Sequence, residues 1–176
     1  TSILNLLDAH PEIIELNKNC GLKFKKRFIS QSEPMLKKVN KVKTALIIGS
    51  GSIGQRHIRN LNRIGINDII ALRSKKGHYK KLPKDLQVIE VNSWDDAIEK
   101  KPDIAVISNP TSLHLEAAST IYKHVKGVFI EKPLSNTLDK CQELIDSLQA
   151  KQVISFVGHN LMFHPIIRNI IKFYEE

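Results

Sequence analysis

The chain has 176 residues, of which 41% are hydrophobic, 26% charged and 6% aromatic. That length and composition fit one globular domain with an aliphatic core and exclude a disordered, collagen-like or coiled-coil chain. No apolar run approaches the ~20 residues needed to cross a bilayer, and the start lacks the basic-then-apolar order of a signal peptide, so a cytoplasmic protein with no membrane partner is expected.

The formal net charge is +9, from 27 basic and 18 acidic side chains, which raises nucleic-acid binding as a first reading. Its distribution argues against that. Residues 1–17 carry three acids and no base, residues 18–43 nine bases and one acid, and residues 44–176 carry 18 bases and 14 acids. The basic stretch Lys18–Lys43 thus precedes the part patterned as a folded domain, and a solvated connector is its simpler reading. Cys20 and Cys141 stand far apart with no CxxC or His/Cys spacing, so neither a disulfide framework nor a metal site is expected.

Residues 1–43 read as a poorly patterned N-terminal extension or linker. Ile3, Leu4, Leu6 and Leu7, then Ile13, Ile14 and Leu16, suit two short amphipathic helices on either side of His10-Pro11, with Gly21 stopping the second. Lys23–Ile29 interleaves basic and apolar residues like a half-buried strand, and the polar run up to Lys43 reads as connection. Because the first residue is Thr, the sequence is expected to be trimmed or to be a piece of a longer polypeptide.

From Thr44 the pattern becomes regular. Strands are predicted at Thr44–Ile48, Asp68–Leu72, Val88–Val91, Ile104–Ser108, Gly127–Ile130 and Val153–Val157. Between and after them the apolar spacing predicts helices at Ile53–Ile64, Trp94–Lys100, Leu113–His124, Leu138–Ala150 and from about Ile166 to Tyr174. In the fourth of these, Leu138, Cys141, Leu144, Ile145 and Leu148 share one face, and Trp94 is expected in the core. Apolar strands alternating with helices mean an α/β fold with a doubly wound parallel sheet of Rossmann type, spanning residues 44–158.

The sharpest motif follows the first strand, where Leu46-Ile47-Ile48 runs into Gly49-Ser50-Gly51-Ser52-Ile53-Gly54 and then a helix. In a G-x-G-x-x-G loop the glycines permit the tight turn (Gly49), the approach of a pyrophosphate (Gly51) and close helix-strand packing (Gly54), and the anion sits on the helix N-terminus. Dinucleotide binding through Gly49, Gly51, Ser52, Ile53 and Gly54 is therefore expected; a methyltransferase also has a glycine-rich first loop, but this spacing suits a dinucleotide better. At the end of the second strand an NAD site would place an acid on the ribose 2′-hydroxyl. Arg73 and Ser74 stand there instead, which favours NADP over NAD, although an arginine can also stack on the adenine.

Ligands of such sheets lie beyond the carboxyl ends of the strands, and polar residues gather there: Ser108–His114 after the fourth strand, Glu131–Leu134 after the fifth, and Gly158–Pro165 after the sixth. His57 reads as support for the phosphate loop, and His159 and His164 face either substrate or further protein.

The motifs GSGSIGQRH, SNPTSLHLEAA, EKPL and GHNLMFHP, in this order and spacing, resemble the Gfo/Idh/MocA oxidoreductases, the family of glucose-fructose oxidoreductase and inositol dehydrogenase. The likeness runs from about Val42 to Tyr174. It implies hydride transfer between a nicotinamide cofactor and a sugar or cyclitol carbinol, with a small sugar-like substrate as partner. It further implies that Lys132 is the catalytic residue, beside the nicotinamide and substrate, with Glu131 and Pro133 shaping its turn. Asn109, Pro110 and Thr111 would line the cofactor channel with His114 and Glu131, and Asn160 would lie near the nicotinamide end. The family's second α/β domain has no counterpart in this sequence, residues 159–176 reading only as the start of a connection to it, and Met162 stands where members often carry Arg. Since the family assembles through that second domain, a homo-oligomer is expected only in its presence. The alternative to an oxidoreductase is a non-catalytic dinucleotide-binding module acting with a partner.

Overall fold

The computed structural model describes residues 42–73 and 82–175, so the elements expected before Val42, and Ser74, lie outside the described residues. Strand β1 (Thr44–Ile48) leads into helix α1 (Ser52–Arg63), followed by β2 (Asp68–Leu72), β3 (Ile89–Val91) and helix α2 (Trp94–Glu99). Then come β4 (Ile104–Ile107), α3 (His114–Ile121), β5 (Gly127–Ile130), α4 (Cys141–Ala150), β6 (Ile154–Val157) and α5 (Pro165–Glu175). The strands form one parallel sheet in the order β3-β2-β1-β4-β5-β6. This order reverses direction between β1 and β4, the topological switch of a Rossmann sheet.

The burial of β1 shows why it and its neighbours are almost wholly apolar after their first residues. Successive strand residues face opposite sides, and both sides here are covered. Leu46 and Ile48 join a core cluster with Ala97, Ala117, Ala118, Ile121, Leu144 and Leu148, beneath α2, α3 and α4, against which Trp94 packs. Ala45 and Ile47 join the opposite cluster with Ile58 and Leu61 of α1 and with Leu82 and Leu86. Ile48 lies in register with Leu72 on one side and Ile107 on the other, so the central strands end level. Helix α2 starts on Ser93, whose hydroxyl accepts the Asp96 N–H at 3.1 Å, and Asp95 and Asp96 complement the helix dipole.

Two predicted helices differ from those observed. Helix α4 begins at Cys141, because Lys140 has a left-handed φ of 58° and Leu138 points into solvent at 92% exposure. Its buried face therefore reduces to Leu144 and Leu148. The stretch Leu113–His124 is split into 3-10 turns at Thr111–Leu113 and Tyr122–His124 around α3.

At the N-terminal edge of the sheet Asp103 holds three segments together. Its carboxylate accepts the backbone N–H groups of Lys43 and Thr44 at 2.9 and 3.2 Å and pairs with the Lys126 ammonium. Burial pushes the Asp103 carboxyl up, but the Lys126 hydrogen bond, the two N–H groups and the Lys126 charge outweigh it and hold it below the ordinary aspartate value.

A lowered folded-state value means that the ionised carboxylate stabilises the fold above the unfolded value and ceases to as pH falls through the folded one. Asp103→Ala should accordingly cost about 1–2 kcal/mol near neutral pH, and the gap to the parent should close in acid, as read from denaturant melts at both conditions. The glycine loop yields a second contrast. A Cβ on Gly54 would run into the Gly49 carbonyl oxygen, whereas one on Gly51 would meet nothing within 4 Å. Gly54→Ala should lower stability by about 1–3 kcal/mol, and Gly51→Ala should leave the melting temperature in place.

Candidate functional site

The loops after β1 and β4 meet at the switch point. Gly49 has φ 90°, and a Cβ there would lie 2.5 Å from the Asn109 N and Cα. The Ser108 hydroxyl donates to the Gly49 carbonyl at 2.7 Å, which ties the two loops directly. Gly49 and Gly54 are thus required by the protein's own packing, while the space beside Gly51 is open.

That space fits an anion. Helix α1 has Gly51 at its N-cap, no side-chain cap and no acid in its first turn, unlike α2 with its serine cap and two aspartates. The first-turn N–H groups of a helix have no partner within the helix and form its positive end. Exposed Ser52 and Ile53 lie in that first turn. Across the switch, the Asn109 Oδ1 is buried with no hydrogen-bond partner. A diphosphate at this helix start fits these features, and a bound donor could satisfy the Asn109 oxygen.

Beyond β5, the turn Glu131-Lys132-Pro133 is held from both ends. The Glu131 N–H donates to the Ile107 carbonyl at 2.9 Å, continuing the sheet ladder. The Glu131 carboxylate lies 2.7 Å from the His57 Nε2 on α1, and its other oxygen accepts the Lys132 N–H at 3.3 Å. At the far end His114 places Nδ1 2.9 Å from the Pro133 carbonyl oxygen and Nε2 3.0 Å from that of Asn109. The Lys132–Pro133 peptide is cis, and the Lys132 side chain is exposed.

His114 therefore departs from its expected place along the cofactor channel. Its ring is 1% exposed, with both nitrogens facing backbone carbonyls, and it braces the β4 and β5 loops from behind. Arg73, at the end of β2, is held by Glu90 of β3 at 2.8 Å, with its side chain 9% exposed. Pro110 is exposed and precedes the 3-10 turn opened by Thr111. Asn160 is exposed at the start of a 3-10 turn after β6, as are His159 before it and His164 after it. The structure thus ties the Asn109 and Pro133 backbones through His114, the Gly49 loop to Ser108, and Glu131 to His57 and Lys132, with Arg73 and Asn160 lying after β2 and β6 to either side.

Two partners were not foreseen from sequence: His57 for Glu131, and Glu90 for Arg73. The first has a readable signal, since His57 lies one helical turn beyond Gly54 on the helix that opens at this sheet edge. The second has a weaker one, a lone acid in the short apolar strand Ile89–Val91. Among the described residues no three His, Cys, Asp or Glu side chains are grouped to hold a metal, and no helix is long and apolar enough to cross a membrane.

Comparison with known proteins bears on the fold and the family. An uncharacterized oxidoreductase, YrbE, of Bacillus subtilis is 29% identical over 138 residues, which are 70% of this chain and 37% of that protein. The myo-inositol 2-dehydrogenase of Thermotoga maritima is 29% identical over 120 residues, 66% of this chain and 36% of its own. Among solved structures, myo-inositol 2-dehydrogenase from Lactobacillus plantarum superposes with a TM-score of 0.65 at 25% identity, covering 77% of this chain and 41% of that one. The fold is also that of the UDP-N-acetylglucosamine 3-dehydrogenase GnnA from Acidithiobacillus ferrooxidans, with a TM-score of 0.61 at 22% identity over 73% of this chain and 42% of that one. The chain thus spans well under half the length of these relatives. The model of the oxidoreductase family with the NAD-binding Rossmann fold matches residues 43–159, and the chain belongs to that family, Gfo/Idh/MocA.

Proposed function

We propose that this chain is the cofactor-binding portion of an NAD(P)-dependent dehydrogenase acting on a CH–OH group of a sugar or cyclitol. The observation that carries the reading is the pairing of an uncapped helix start, open beside Gly51, with an exposed lysine on a turn braced at both ends. The nicotinamide cofactor supplies the hydride acceptor or donor. The residues of this chain bind and orient around it: the α1 N–H groups take the diphosphate, Asn109 and Thr111 flank it, and Glu131 fixes the Lys132 turn. Lys132 is the proposed catalytic residue, its ammonium holding the substrate hydroxyl and stabilising the oxygen as it becomes alkoxide-like. Asn160 is assigned to the nicotinamide end. The substrate class is supported by the inositol dehydrogenases among the relatives, and a cytoplasmic location accords with use of the diffusible cofactor pool.

NADP is the preferred form in this reading, with Arg73 and Ser74 toward the 2′-phosphate. Glu90 competes for the Arg73 guanidinium, which makes the preference modest.

Calorimetric titration with NADH and NADPH tests these assignments. Gly51→Asp should abolish binding of both, by placing a carboxylate where the diphosphate belongs; equal binding by parent and variant would remove the loop from the reading. Arg73→Asp should shift the NADPH/NADH affinity ratio toward NADH about tenfold, the loss expected of one charge-assisted pair. An unchanged ratio would exclude Arg73 as a determinant.

A further inference from the structure

We propose that His57 is a positioning residue: through Glu131 it couples the helix behind the phosphate loop to the turn that carries Lys132. The inference deepens the cofactor reading above and rests on it.

A carboxylate can only accept hydrogen bonds, so at 2.7 Å the imidazole must present its Nε2–H to Glu131. His57 and Glu131 side chains are 20% and 23% exposed, so water screens the bond only partly. The second Glu131 oxygen accepts the Lys132 N–H, and one carboxylate therefore spans α1 and the Lys132 backbone. The ring is itself located by packing. It meets Phe129 edge-on at 5.1 Å, and Phe129 stacks on Phe156 at 5.9 Å. Gly158 closes the set, because a Cβ there would lie 2.8 Å from the Phe129 Cζ and 3.5 Å from the Glu131 Oε2. These residues join the helix after β1 to the ends of β5 and β6.

The two halves of the site are separately supported. The phosphate loop is shaped by Gly49, Gly54 and Ser108, none of which depends on His57. The turn is anchored at Pro133 by His114 and at Glu131 by His57. Removing the His57 donor frees the Glu131 carboxylate, while the Glu131 N–H stays on the Ile107 carbonyl, and leaves the Lys132 N–H without a fixed acceptor. Ligands that stop short of the nicotinamide should be nearly indifferent to the change, and ligands that carry it should not.

The test compares ADP-ribose, which lacks the nicotinamide, with NADH, titrated calorimetrically into the 176-residue chain. His57→Ala should bind ADP-ribose within about twofold of the parent and NADH about tenfold more weakly, the share of one charge-assisted hydrogen bond. Amide exchange at Lys132 should rise in the variant before any ligand is added. His57→Gln, whose amide reaches a similar position as a donor, should recover most of the NADH affinity. If His57→Ala does not fold, His57→Leu keeps the packing on Phe129 without the donor and must show the same split. Parallel changes for the two ligands, or no change for either, would overturn the coupling while leaving the cofactor reading in place. Failure of the folded parent to bind either ligand would overturn both.

Discussion

Among the described glycines the tightest fit is at Gly54, where helix α1 lies against the end of the strand it follows. At Gly54 the helix backbone touches the Gly49 carbonyl, and at Gly49 the chain touches the backbone of Asn109 across the sheet. No side chain fits at either contact, so the helix axis, the β1 turn and the β4 loop have one mutual arrangement. The Ser108 hydroxyl completes it by binding the same Gly49 carbonyl. The positive end of α1 is consequently aimed over the switch point, and everything assigned to the site is referred to that direction. Gly51 lies beyond the contact and is free of it, which is why one loop can be both rigidly held and open.

The two ends of the sheet are built on different principles. At the N-terminal ends of the strands charges cancel: Asp103 satisfies two backbone donors and Lys126, and the arrangement stabilises the fold. At the C-terminal ends the bonds run between loops and leave chemical groups pointing outward. His114 is buried to support backbone, while Lys132 between the two histidine anchors has its side chain in solvent. A site of this kind depends on loops held as firmly as strands, because loops alone would not keep a lysine in one place.

The sheet was legible because burial on both faces makes β1, β2, β4 and β5 almost wholly aliphatic, and the Gly-x-Gly-x-x-Gly spacing located the first crossover. Helix ends were less so. Leu138 has the right spacing for the α4 face, yet the left-handed Lys140 starts the helix three residues later, a backbone choice that apolar periodicity does not encode. Gly49, Arg73, Asn109 and Glu131 lie just after strands, but their pairings could not be read from the motifs. That His114 turns inward, that Glu131 meets His57 and that Glu90 meets Arg73 depend on loop geometry and on residues 17 to 74 positions apart in the chain. Such distances carry no periodic signal.

Strand β3 has a consequence of a different kind. Among the described residues it ends the sheet on one side, is three residues long, and offers an exposed glutamate at its middle. An outer strand with free backbone groups is a template for another chain's strand, and shortness together with a charge is how natural sheets blunt it. Glu90, besides steadying Arg73, thus puts a charge in the middle of that outer strand, the kind of feature that makes such an edge a poor template for pairing.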